Sequence, residues 1–313
     1  MQFVMTAADE GKLLRAFLRE QGVSAALCAR LKRRENGMCI NGAHVTVRAV
    51  LHAGDVLELA IEEREPPLHV LPRELPLCVV LENEDLLVAA KAVDMPTHPS
   101  HGHFEDTLAN ALAYRYAKDG TPFRPRFVNR LDRNTTGLVL VAKHALAAAQ
   151  LGAAMARGEI RKSYLALVGG RIDTPRMIES GIRRREESII FREVCPIGEG
   201  DLAKTEVQPL YWSEAFSLVR LIPHTGRTHQ LRVHLSSIGH PLLGDELYGG
   251  DLDRIARHAL HAATLSFPLP RTGERITARA PLPCDMAEVI KLLGEEAMAL
   301  ANAECAETGQ GSP

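Results

Sequence analysis

Four prolines fall between residues 62 and 76, in the string EEREPPLHVLPRELP. Proline fixes φ and lacks the backbone N–H, so neither a helix interior nor a central strand passes through such a stretch. Proline-rich charged segments act as semi-rigid spacers. The chain is therefore expected to fold as two units, a small one before this segment and a larger one after it. The expected boundaries are 1–62 for the first unit, 63–76 for the linker, 77–300 for the second unit and 301–313 for a flexible tail.

The first unit reads as two helices followed by short strands. Leu13, Leu14, Phe17 and Leu18 recur at helical spacing, and Gly22 closes the segment. Ser24 is an N-cap for a second helix carrying Leu27 and Leu31 on one side. That helix ends in Arg30, Lys32, Arg33 and Arg34. Such a run is either a solvated helix end favoured by the macrodipole or a patch facing a polyanion. Asn36-Gly37 and Asn41-Gly42 mark tight turns around a strand at 38–40, and 56–61 reads as another strand.

In the second unit, 79–81 and 86–90 read as a strand pair and 105–118 as a helix. Residues 127–131 and 138–141 read as strands flanking a polar turn, 144–157 as an alanine-rich helix, and 162–168 as a strand. Hairpins and loops are expected over 171–205, where Arg183-Arg184-Arg185 reads as loop surface. Residues 207–221 and 233–235 look extended, and 286–301 reads as one amphipathic packing helix. Strands dominate, with helices between them, so the class is α+β: an αα-β module followed by a mixed, mainly antiparallel sheet.

Three segments concentrate chemistry. In Phe127–Leu138, FVNRLDRNTTGL, Asp132 lies at the turn between Arg130 and Arg133. Two guanidiniums beside a carboxylate favour its anion and can also grip phosphates. The competing reading is an Arg–Asp salt bridge closing a hairpin. The second segment, Pro223–His234, packs three histidines, two arginines and Gln230 into twelve residues, and Gly226 allows close approach of a ligand. His229 and His234 are five apart and fall on different faces of a helix or strand, which argues against a metal site. In the third, Tyr164 sits in an apolar strand beside Arg161 and Lys162. It is either a half-buried tyrosine with a paired hydroxyl or a ring that stacks on a base.

The string NRLDRNTTGLVLVAK closely resembles the signature of the RluA-type pseudouridine synthases. The likeness extends to 80–99, to KSYLALV, to HTGRTHQLRVHLSSIGHPLLGDELYGG, and to Leu260-His261-Ala262 with Leu265-Ser266-Phe267. The first unit resembles an S4 RNA-binding domain. Together the matches cover about residues 10–285. The resemblance implies an isomerase that converts uridine to pseudouridine within RNA: C1′–N1 breaks, the base rotates, and C5 joins C1′. By the same resemblance Asp132 initiates glycosidic cleavage, Tyr164 packs on the base and helps remove the C5 proton, and Arg232 pairs with the aspartate. Arg130 helps hold the target nucleotide out of its helix. Asn129, Leu131, Arg133, Thr225, Gly226, Arg227, His229 and Gln230 complete the substrate-binding set, and Arg30, Lys32, Arg33 and Arg34 the RNA-binding one. This chain departs from the pattern at Asn129, where many members have His or Tyr, and at Lys91-Ala92 and Val93-Asp94, which replace Lys-Pro and Ala-Gly.

The expected partner is structured RNA, with 23S-type large-subunit ribosomal RNA favoured and transfer RNA the other choice. A non-catalytic RNA-binding or ribosome-assembly factor is the alternative function. It would be marked by loss of Asp132, Tyr164 or Arg232, and all three are present. The implied reaction needs no redox step or group donor, in keeping with the absence of a GxGxxG or P-loop pattern, and the histidine spacing argues against a metal, so no cofactor and no metal are expected. Six scattered cysteines without a CxxC pair fit a reducing compartment. MQFVMTAADEGK lacks the charged-then-apolar pattern of a signal peptide. A cytoplasmic monomer away from the membrane is the expectation. Residues 285–313 carry a net charge of −5 against −2 for the whole chain, so the body is mildly basic.

Overall fold

The structure, a computed structural model, describes residues 1–62, 70–188 and 190–305. Its first unit runs β1 (Gln2–Val4), α1 (Leu14–Glu20), α2 (Ala25–Arg33), β2 (Met38–Ile40), β3 (Ala43–His44) and β4 (Val56–Leu59). Ser24 caps α2 by accepting from the Leu27 N–H at 3.2 Å. Leu14, Phe17 and Leu18 of α1 and Leu27 and Leu31 of α2 pack on a sheet ordered β1-β4-β2-β3. The Arg34 guanidinium donates to the carbonyls of Ala60 and Glu62, tying the end of α2 to the chain leaving β4.

The second unit begins with an irregular strap. Residues 63–69 of the expected linker lie outside the described residues, and 70–77 carry no regular structure. This strap is pinned to the helix that follows, for the Asn110 carboxamide donates to Leu71 O and Arg73 N–H donates to Asn110 O. Then come β5 (Cys78–Glu82), β6 (Leu86–Lys91), α3 (Leu108–Lys118), β7 (Arg126–Phe127), β8 (Thr136–Ala142), α4 (Ala145–Ala156) and β9 (Arg161–Gly169). Next are β10 (Arg176–Arg184), β11 (Arg192–Cys195), β12 (Asp201–Trp212), β13 (Phe216–Pro223) and α5 (Gln230–Ser237). The chain continues through β14 (Leu260–Pro268), β15 (Arg275–Arg279), α6 (Cys284–Lys291) and α7 (Glu295–Cys305).

These strands form one sheet in the order β11-β10-β12-β13-β9-β14-β8-β6-β5, with β15 on β14 and β7 on β8. Its pairings are antiparallel except for β14 against β8. Alternation along each strand sorts the side chains between two faces. Leu87, Val139, Tyr164, Val207 and Leu221 face α3 and the cleft, with Leu231 and Leu235 of α5 in the same cluster. Leu165, Leu167 and Leu218 face α6 and α7, while Leu86, Val88, Leu138 and Leu140 face α4. Burying each such side chain contributes about 1.5–3 kcal/mol.

Several expectations are corrected. The segment 233–235 is not extended but lies inside α5, a helix entered through His229 at φ 57°. The C-terminal helix is two helices, broken at Gly294 with φ 107°, and α7 reaches Cys305, beyond the expected start of the tail at 301. Residues 306–313 lie outside the described residues. Within the hairpin β10–β11, Arg183 and Arg184 close β10 rather than sitting in a loop. The strand expected at 127–131 ends at Phe127. No helix among the described residues is long and apolar enough to cross a membrane.

Candidate active site

The site is built around a loop, 128–135, that peels away from β8. Val128 N–H still donates to Leu140 O. At the next residue the Asn129 side chain replaces the backbone ladder, donating to Leu138 O and accepting from Leu140 N–H at 2.8 Å. The main chain is thus freed to turn outward. On one side of Asp132, buried Thr97 holds Leu131 by both its N–H and its carbonyl. On the other, Lys91 Nζ donates to Ala92, Met95 and Arg133 carbonyls at 2.8–2.9 Å. Burial pushes the Lys91 ammonium down to about 7, against the pull of Asp132. Thr135 N–H closes the turn on Asp132 O at 3.0 Å. Thr135 and Thr136 hydroxyls meet the rings of His258 and His261 at 2.8 and 2.9 Å.

Such a loop needs close approach of β14, and Gly137 supplies it. A Cβ there would lie 2.3 Å from the Ala262 carbonyl oxygen, and φ is 110°. The buried Arg257 guanidinium completes the frame, donating to Asn134 O and to both Asp285 carboxylate oxygens.

The Asp132 carboxylate is about one quarter exposed, on the floor of a cleft of about 940 Å³. Arg232, from the buried side of α5, reaches it at 3.5 Å. Arg232 is itself held by a bidentate pair with Asp245, at 2.7 and 2.8 Å, and lies over the Tyr248 ring at 5.0 Å. Burial works against its charge, but the Asp245 contacts outweigh that and raise its pKa. Asp245 is 1% exposed, so the pair is desolvated and its direction fixed. His229 Nε2 stands 3.8 Å from Asp132, and burial pushes this imidazole down, so it meets the carboxylate as a neutral ring. Its Nδ1 bonds the Tyr248 hydroxyl at 2.9 Å, which also accepts from Arg192 N–H. The Tyr248 proton is then left for Nδ1, which places the imidazole proton on Nε2, toward Asp132. Tyr164 lines the same cleft, and burial with the Asp132 charge pushes its phenol up. At neutral pH it keeps its proton.

Asp132, Tyr164 and Arg232 are therefore brought together, as are Arg130, Gly226, Arg227 and His229 along the cleft. Arg130 is exposed at the mouth. Others of the expected substrate-binding set have structural work. Leu131 is a core residue, Asn129 mends the strand edge, and Gln230 is 3% exposed. The Gln230 carboxamide accepts from Thr225 Oγ1 and Arg227 N–H and donates to Lys204 O and Thr205 Oγ1. Thr225 also accepts from Lys204 N–H. Arg133 points away from the cleft and pairs with Asp94, so the cation facing Asp132 is Arg232 rather than its chain neighbour. His234 is a core histidine, bonded to Thr205 Oγ1 and Ser180 Oγ and pushed down to about 4 by burial. In the first unit, Lys32 and Arg33 are exposed, while Arg30 and Arg34 are half-buried.

Sequence reasoning missed Asp245, Tyr248, His258 and Thr97, and singled out Lys162 only as a cation beside Tyr164. Asp245 and Tyr248 lie within the quoted GDELYGG string, but nothing local singles them out. No group of three or more His, Cys, Asp or Glu side chains fit to hold a metal occurs among the described residues. A carboxylate under a fixed guanidinium, in a cleft rimmed by Arg130, Arg161 and Arg227, is the arrangement of an enzyme acting at one residue of a polyanion.

Known proteins agree. The family model described as RNA pseudouridylate synthase matches residues 85–237. The uncharacterized RNA pseudouridine synthase YjbO of Bacillus subtilis is 39% identical over 87% of this chain and 96% of its own length. The ribosomal large subunit pseudouridine synthase D of Pasteurella multocida is 33% identical over 83% of this chain and 84% of its own. The solved structure of human RNA pseudouridylate synthase domain containing 1 superposes with a TM-score of 0.54 at 32% identity, over 66% of this chain and 84% of that one. The chain belongs to the RluA-type RNA pseudouridine synthase family. It is an RNA-modifying isomerase.

Proposed function

We propose that the chain isomerises uridine in large-subunit ribosomal RNA, with Asp132, Tyr164 and Arg232 as its catalytic residues. The observation that carries this reading is the Asp132 carboxylate, open to the cleft and 3.5 Å from an arginine locked by Asp245. The target uridine must leave its stack to reach that carboxylate, at a cost of a few kcal/mol. Phosphate contacts from Arg130, Arg161 and Arg227 offset the cost, with affinity falling as salt rises. Asp132 starts the reaction, by attack on C1′ or by taking the C2′ proton. The C1′–N1 bond breaks, the base turns against Tyr164, C5 bonds to C1′, and the C5 proton passes to solvent. A phenol held protonated serves as a packing surface and hydrogen-bond donor.

The first unit would then act as an S4-like RNA-binding module, with Lys32 and Arg33 as its phosphate contacts and Arg34 as a brace. Relatives named for the ribosomal large subunit favour that RNA over transfer RNA. The protein would work as a cytoplasmic monomer. The test is to map pseudouridines in ribosomal and transfer RNA from cells with and without this gene. Loss of one or a few sites in large-subunit RNA is expected. Loss confined to transfer RNA would overturn the assignment.

A further inference from the structure

Among the described residues Lys162 is a partly buried cleft cation without a counter-charge, whereas Arg130 and Arg161, also without an ion pair, stand exposed at the rim. Of the other cations lining the cleft, Arg232 pairs with Asp245 and Arg227 lies 3.8 Å from Asp201. Lys91 is saturated by three carbonyls. Lys162, among the described residues, makes no hydrogen bond or ion pair through its ammonium, although burial lowers its pKa. It sits on β9 two residues before Tyr164, so strand alternation turns both side chains to the cleft face, and both line the cleft. Their Cα atoms are separated by about 7 Å along the strand. The Lys162 ammonium rests against the opposite wall, 3.7 Å from where a Cβ on Gly226 would be. Apart from the neighbouring residues of the chain, no other atom lies within 4 Å of that point, so the wall there is backbone facing a cation.

We infer that Lys162 and the Gly226 turn form a subsite for an RNA phosphodiester next to the target uridine, seated there when the base lies against Tyr164. This rests on the reading of the cleft as the uridine site. An uncompensated ammonium in a partly closed cleft favours an anion, and the anions of RNA are its phosphates. The span from Tyr164 to Lys162 matches the step from a base to its own backbone. Gly226 keeps the wall flat enough for the backbone to lie against it. Lys162 would thus fix the register of the strand in the cleft, beyond the general attraction of the exposed arginines.

The test uses the full chain carrying Asp132→Ala, which blocks turnover. The probe is a uridine-containing RNA stem-loop from which the wild type releases C5 tritium. Adding Lys162→Met should weaken binding about tenfold. It should also reduce the slope of log affinity against log salt by about 0.7, one contact on single-stranded RNA. Lys162→Arg should restore the slope. Replacing single phosphates by neutral methylphosphonates should weaken the Lys162 protein at one position beside the target. That replacement should cost the Lys162→Met protein nothing further. Additive losses at every phosphate, or an unchanged salt slope, would overturn the inference. So would a Lys162→Met single variant that binds normally but has lost tritium release, which would mark Lys162 as a proton acceptor instead. Should the Met variant fail to melt cooperatively, Lys162→Gln takes its place. Tritium release by Asp132→Ala itself would sink the cleft assignment and this inference with it. Additive binding losses in a turnover-dead Asp132→Ala background would sink this inference alone.

Discussion

Asp245 touches no part of the proposed substrate, yet its removal should disable the site. Its two oxygens accept from Arg232 Nε and Nη2 at 2.8 and 2.7 Å, and the pair is nearly sealed from solvent. Asp245→Asn keeps one acceptor oxygen but removes the charge and leaves one guanidinium N–H unmet. An unmet buried donor costs about 1–3 kcal/mol, and breaking a buried ion pair from one side about 3–5 kcal/mol. Arg232 still has Asp132 at 3.5 Å, so the low end applies, about 3 kcal/mol. Urea unfolding followed by circular dichroism measures it. The double variant Arg232→Met/Asp245→Leu removes both charges and should return to within about 1 kcal/mol of wild type while remaining inactive. A loss below about 1 kcal/mol for Asp245→Asn, with activity retained, would refute the claim that Asp245 fixes Arg232.

Gly137→Ala should cost more than about 4 kcal/mol, since the added methyl meets the Ala262 main chain rather than a movable side chain. Soluble yield and urea midpoint report it, and a protein of normal stability would show that β8 and β14 are not so close. Acid should destabilise the fold well above the carboxylate range. Burial pushes His234, His258 and His261 down to about 4, whereas an unfolded histidine titrates near about 6.5. Between those values the unfolded chain binds protons that the folded one refuses. The stability these rings contribute is complete above about pH 6.5 and is lost as pH falls toward about 4, by up to about 4 kcal/mol per pH unit near pH 5. Urea midpoints that stay flat from pH 7.5 to 4.5 would contradict this.

What the sequence made legible follows from range. The α1–α2 pair, the β5–β6 hairpin and α4 are specified by local periodicity and caps such as Ser24, and each appears close to its expected place. The helix α5 was not legible, because its apolar positions are few and its start depends on a left-handed His229 held by Tyr248. The segment 286–301 reads as one helix because apolar spacing continues across Gly294, whose φ of 107° breaks it in two. At the site, the three motif residues converge as the family resemblance implied. Their partners could not be read locally. Arg133 adjoins Asp132 in the chain, yet consecutive side chains diverge at the turn and Arg133 finds Asp94. Asp94 stands at φ 57° where the family pattern has a small Ala-Gly pair, so this departure supplies the partner that draws Arg133 from the cleft. Asn129, another departure, ends the strand ladder that sequence alone extended to Leu131.

The central claim is that Asp132 starts the breaking of a uridine glycosidic bond. Tritium release from ribosomal RNA labelled at uracil C5 tests it directly, with wild type beside Asp132→Ala. Release by wild type alone, with RNA still bound by the variant, is the predicted result. Equal release by both proteins would contradict it.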